Sequence, residues 1–170
     1  MSLNVAKMDV WSGEIQDQPG ALAAVLRKLA DANADLEMVV ARRQADRTGA
    51  GMVFVAPVKG RKATAAAAVA GLSPAPGVAA FRVEGTNRAG LGAKMTSAIA
   101  DAGINMRGLS AAALGSRFVA YMAFDSAEDA DKAAKAIKAA GVAKTPGKKS
   151  RQAVAHSGSS RPHRLVSPGR

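Results

Sequence analysis

The chain has no cysteine and only two histidines, His156 and His163, both close to its C-terminal end. Without cysteine there is no disulfide frame, no reactive thiol and no thiolate metal site. Without histidine in the first 155 residues there is no Ser-His or Cys-His nucleophile system and no His/Cys zinc cluster in that stretch. Aromatic residues are scarce, at 4% with a single tryptophan and a single tyrosine. That suits thin helix-on-sheet packing better than an aromatic-lined catalytic pocket. No apolar run approaches the ~20 residues that span a bilayer, and Met1 to Val5 has no signal-peptide character. A soluble, cytoplasmic protein with no membrane contact is expected. Gly147-Lys148-Lys149-Ser150 lacks the earlier glycine of a phosphate-binding loop. These absences together argue against an enzyme, and no cofactor or metal is expected.

Acidic residues are absent from one segment. Residues 144–170 carry Lys144, Lys148, Lys149, Arg151, Arg161, Arg164 and Arg170 and no acid. The net charge of +11 therefore belongs largely to this segment, and the rest of the chain holds 17 basic against 13 acidic residues. Its Gly, Ser, Pro and Arg content predicts a disordered tail. No aromatic residue is there to stack on bases, so any nucleic-acid contact would be weak, electrostatic and non-specific.

What is present is a repeat. Displacing the sequence by 70 positions sets Asp31 on Asp101, Gly20 on Gly90, Trp11 on Phe81, Met52 on Met122, Phe54 on Phe124, Lys62 on Lys132 and Gly71 on Gly141. The register is taken as gapless across the unit. Such self-similarity implies two copies of one small module. Each is small for an independent core, so packing against each other or dimerisation is expected.

In the first copy, residues 7–16 read as a strand broken by Asp17-Gln18-Pro19-Gly20. Leu22, Val25, Leu26 and Leu29 then follow helical spacing, with Pro19 suited to the first helical turn. Residues 36–44 and 52–58 form strands about a turn at Asp46 to Gly51, residues 62–72 form an Ala-rich helix, and Ser73 to Gly77 is a linker. In the second copy, residues 78–84 form a strand, Leu91, Met95 and Ile99 mark a helix, and residues 106–113 and 118–124 form a hairpin about Gly115. Ser126 opens the last helix, and Asp125, Glu128, Asp129 and Asp131 suit its positive N-terminal dipole better than a catalytic pair.

This order predicts an α+β fold of two ferredoxin-like βαββα(β) units with antiparallel sheets and helices on one face. The units are expected at 1–76 and 77–143, followed by the tail 144–170. Residues 78–84 must open the second unit, close the first, or do both at different ends. The only other spare strand is Arg151 to Ala155. The two sheets are expected to join side by side.

Asp17-Gln18-Pro19-Gly20-Ala21-Leu22 at a strand–helix turn resembles the signature of the ACT domain family. The second copy keeps Asn87 and Gly90 but has Ala89 in place of proline, with Leu91 shifted. Gly103-Ile104-Asn105-Met106 is similar to the family's turn after the helix. The resemblance spans residues 7–142. It implies a non-catalytic regulatory module that binds a small ligand, usually an amino acid, near an interface between modules. A homodimer is expected from the small core of each unit, and a regulatory protein partner is expected to read the ligand's effect on packing.

The candidate ligand-binding residues are Asp17, Gln18, Gly20 and Leu22 in the first unit and Asn87, Arg88, Gly90, Leu91 and Asn105 in the second. Backbone N–H groups at a helix N-terminus suit a carboxylate, and Gly20 and Gly90 let it approach. Asn87 and Asn105 both donate and accept, whereas an ionised Asp17 only accepts and would compete with a ligand carboxylate. Arg88 could pair a carboxylate bidentately. Helix capping by Asp17 and Asn87 explains the same residues without a ligand. The alternatives are thus a ligand-free interaction module, or a nucleic-acid-associated regulator acting through the tail.

Overall fold

A computed structural model describes residues 3–142. Eight strands and four helices follow in the order β1 (Asn4–Met8), β2 (Trp11–Gln16), α1 (Ala21–Asp31), β3 (Met38–Arg43), β4 (Ala50–Ala56), α2 (Arg61–Val69), β5 (Ser73–Pro74), β6 (Ala79–Thr86), α3 (Leu91–Asp101), β7 (Gly108–Leu114), β8 (Arg117–Phe124) and α4 (Ala127–Val142). They form two antiparallel four-stranded sheets, ordered β3-β4-β2-β5 and β1-β6-β8-β7. The expected α+β fold of two ferredoxin-like units is present.

The strand expected at residues 7–16 is two strands in two sheets. Trp11–Gln16 pairs with β4 in the first unit, while Asn4–Met8 pairs with β6 in the second. The closing strand of the second unit therefore comes from the start of the chain. The first unit closes with β5, whose two residues pair with Ser12 and Trp11. β6 belongs to the second unit alone. Unit one thus spans residues 11–74, and unit two combines 4–8 with 79–142. The tail and the Arg151 to Ala155 stretch lie outside the described residues.

Helix faces fall where their spacing predicts. Val25 and Leu29 are buried with Leu22 and Leu26 packed beside them, and Leu91, Met95 and Ile99 are buried in the second core. The first core is mostly valine, leucine and alanine. The second contains Phe81 stacked on Phe124 at 5.2 Å between centroids, with Leu3 and Val5 from the first residues of the chain packed against it. Gly13 shows how tightly unit one closes: a Cβ there would stand 2.5 Å from the Gly71 carbonyl oxygen.

The 70-residue register holds only to the hairpin. α1 and α3 correspond residue for residue, and β3 and β7 start 70 apart. Trp11 pairs with Val55, however, whereas Phe81 pairs with Met122, so β4 and β8 are 67 apart. Backbone bonds agree: Asp17 and Asn87 donate to Gly49 and Ser116, and Glu37 and Arg107 to Ala56 and Ala123. The second hairpin is three residues shorter. An odd shift exchanges the faces of a strand. Phe124 and Met122 consequently point into the core, while Phe54 and Met52 lie on the open face of their sheet. The structural partner of Phe54 is Tyr121.

The sheets do not join side by side. They remain separate and are tied at Glu37, whose carbonyl accepts a 2.6 Å hydrogen bond from the Tyr121 hydroxyl and whose carboxylate pairs with Arg82. The covered edge of β6 explains the arrangement, because β1 occupies the place where another strand would add. No described helix is long and apolar enough to cross a membrane.

The borrowed strand makes unit two depend on residues that precede unit one. Deleting residues 1–8 uncovers β6 and removes the packing of Leu3 and Val5, at a cost of about 3 kcal/mol. Unit two should melt first in this variant, while Trp11 fluorescence, which reports unit one, keeps its native transition. Loss of both transitions together would show that the units fold as one.

Candidate functional site

The two strand–helix turns share one geometry. Gly20 and Gly90 occupy the N-cap positions of α1 and α3 in left-handed conformation, with φ of 88° and 81°. A left-handed N-cap favours glycine, which lacks the Cβ that opposes it. Neither helix has a side-chain cap hydrogen bond. Capping by Asp17 and Asn87 is therefore not how these turns are built. The helix also starts later than expected: Pro19 lies in the turn, two residues before the first helical residue.

Asp17 is engaged elsewhere. Arg43 Nε donates to its Oδ1 at 2.9 Å, joining the turn to the end of β3. The carboxylate is one-third exposed and the guanidinium mostly exposed, so the pair fixes geometry more than it adds stability. The corresponding positions in unit two are Asn87 and Ala113. A charged pair in one unit is replaced by a neutral pair in the other, which explains why the two turns differ at this residue.

Around the first turn lies a cavity of about 210 Å³, lined by Asp17, Gln18, Leu22, Arg42, Arg43 and Gly51 among others. Three of the four residues selected in unit one thus line one cavity, and Gly20 begins the adjoining helix. In unit two, Asn87, Arg88 and Gly90 are exposed at the corresponding turn, and Leu91 is buried in the core. Leu91 is a packing residue. Asn105 is exposed but lies beyond the far end of α3. At 1.5 Å per residue this 11-residue helix puts about 16 Å between the two ends. Asn105 and Asn87 therefore do not belong to one site within a unit.

A second cavity, of about 370 Å³, opens between the sheets and is lined from both, including Met38, Val40, Arg42 and Phe54 from unit one and Ala80 and Tyr121 from unit two. Sequence reading missed it. The one available signal was the strand alternation that places Phe54 and Tyr121 on open faces, and the gapless repeat matched Phe54 to the wrong residue.

The acids around α4 are structural. The Asp129 N–H donates to Ser126 Oγ at 3.0 Å, and that hydroxyl donates to Asp129 Oδ2 at 2.8 Å, a reciprocal helix cap. Asp125 pairs with Arg107 at 3.2 Å, Glu128 with Lys132 at 2.7 Å and Asp131 with Lys7 at 2.7 Å. The hydrogen bond to Glu128, with that carboxylate's charge, holds the Lys132 ammonium above its ordinary value of 10.5. A raised folded-state value favours the fold at lower pH and loses its effect only as pH rises through the alkaline range. Among the described residues, no group of three acids or histidines could hold a metal.

No protein-family model matches the chain, and no curated protein matches it. Solved structures do. The ligand-free regulatory subunit of aspartate kinase from Thermus thermophilus is 21% identical, with 82% of this chain and 97% of that one covered and a TM-score of 0.59. Protein BT0572 from Bacteroides thetaiotaomicron is 17% identical over 79% of this chain and 89% of that one, with a TM-score of 0.65. Aspartate kinase from Synechocystis is 21% identical over 86% of this chain, which spans only 28% of the kinase, with a TM-score of 0.55. At these identities the likeness is one of fold. The architecture agrees with the tandem ACT organisation that the Asp17 to Leu22 motif implied.

Nothing lies within 4 Å of a Cβ built on Gly20 or Gly90. Alanine at either position should therefore cost only the left-handed backbone penalty, about 1–2 kcal/mol. Urea unfolding of Gly20→Ala and Gly90→Ala measures it. A loss several times larger would mean that these turns carry tertiary contacts beyond the backbone.

Proposed function

We propose that this chain is a non-catalytic regulatory module that binds a free amino acid at its strand–helix turns. The cavity at Asp17 to Leu22 carries the reading. It brings a carboxylate, the Arg43 guanidinium and the uncapped start of a helix around one space of about 210 Å³. An amino acid presents a carboxylate and an ammonium together. The first suits the helix N–H groups, and the second suits Asp17. Arg43 already balances Asp17, so the carboxylate does not repel an incoming anion as an unpaired one would. In unit two, the neutral Asn87 can serve either end of the ligand, with Arg88 beside it. The fold shared with a regulatory subunit of aspartate kinase supports a regulatory role.

A homodimer would bring Asn105 into this scheme. β3 and β7 are free sheet edges. Every residue of β7 is exposed, including Leu109 and Leu114. Such an edge invites strand addition. Two copies joined antiparallel there run in opposite directions. The far end of one α3, with Asn105, then faces the α3 start of the other, with Asn87. Ligand binding across that junction would alter packing between subunits, and a regulatory partner would read the change.

Each of the twenty amino acids at millimolar concentration tests the reading by thermal shift. A ligand at ~100 times its dissociation constant adds about 2.7 kcal/mol of stability. Asp17→Ala should remove the response of unit one and Asn87→Ala that of unit two, with both apo variants folded. If no amino acid raises the melting temperature, amino-acid binding is wrong and the chain is a ligand-free interaction module.

A further inference from the structure

We infer that the cleft between the two sheets is a second binding site, for a small carboxylate with an apolar body. Four observations converge on it. The open faces of the sheets, which an isolated unit would leave to water, approach each other where Tyr121 and Arg82 hold Glu37. The space between them is about 370 Å³, within the ~300–1,000 Å³ range of small-molecule sites. Its walls are mostly apolar, with Met8, Val40, Phe54 and Ala80 drawn from both units. The charged side chains that line it are Arg42 and Arg107, and no acidic side chain does.

The two guanidiniums have different commitments. Arg107 donates to the Gly77 carbonyl and pairs with Asp125, each at 3.2 Å. Arg42 stands 6.0 Å from the centroid of the Phe54 ring and has no ion pair among the described residues. A guanidinium without a carboxylate beside an apolar cavity favours an anion whose remaining atoms are apolar. With no acid to hold an ammonium, the cleft discriminates against free amino acids, so its ligand differs from that proposed for the turns. The tail does not suit it either, because residues 144–170 carry seven basic residues and no acid. An occupant touches Met8 and Val10 at the crossing from β1 to β2, so it would bear on one of the two connections between the sheets.

The probe pair is 4-phenylbutyrate and its uncharged amide, titrated into the full chain by calorimetry with amide resonances followed in parallel. The acid should bind at least tenfold tighter than the amide and shift the resonances of Val40 and Ala80. Arg42→Met should bring the acid to the amide's affinity. Asp17→Ala and Asn87→Ala should leave acid binding unchanged, which separates this site from the turns. Equal affinity for acid and amide, no binding of either, or shifts that spare Val40 and Ala80 would overturn the proposal.

Discussion

The structure depends on the closing edge of each sheet. A unit of some seventy residues buries little apolar surface, and a sheet edge left open exposes a row of unpaired backbone groups. Unit one closes its edge with only Ser73 and Pro74. Unit two takes Asn4–Met8 from the other end of the sequence. Two residues, Asp9 and Val10, then carry the chain from one sheet to the other. Unit one is thus enclosed within unit two along the chain, and neither sheet can move far without pulling on that short crossing. The same crossing lines the cleft between the sheets.

The site chemistry follows from a difference between two otherwise equal turns. Both place a left-handed glycine before a helix and leave that helix without a side-chain cap. Unit one surrounds the turn with a balanced pair, Asp17 and Arg43. Unit two has Asn87 and Ala113 at the same places. Exchange of an ion pair for two neutral residues changes which polar groups face the turn, and Arg88 stands where unit one has Gln18. The units are therefore alike in backbone and distinct in the side chains that surround the turn.

Much of this was legible in the sequence, and the misses have physical causes. The helix faces were readable because Val25, Leu29, Met95 and Ile99 repeat at 3.6-residue spacing, and that period identifies a buried stripe without knowledge of its partner. The turn motif was readable because Gly20 and Gly90 are needed for backbone reasons. The split of residues 7–16 was not, since strand alternation does not say which sheet a residue enters. The three-residue shortening of the second hairpin was hidden by coincident Met and Phe matches, and an odd slip reverses every side chain after it. Asn105 was grouped with Asn87 because sequence carries no length scale; an intervening helix of about 16 Å does. The cleft needed both sheets in place before it existed.

The central claim is that the turns bind an amino acid in a way the rest of the fold registers. Amide resonances of the full chain, recorded with and without a pool of the twenty amino acids, test it most directly. The account predicts shifts at Gln18 to Leu22 and Asn87 to Leu91, with smaller ones at the Asp9 and Val10 crossing. A spectrum unchanged at both turns would contradict it.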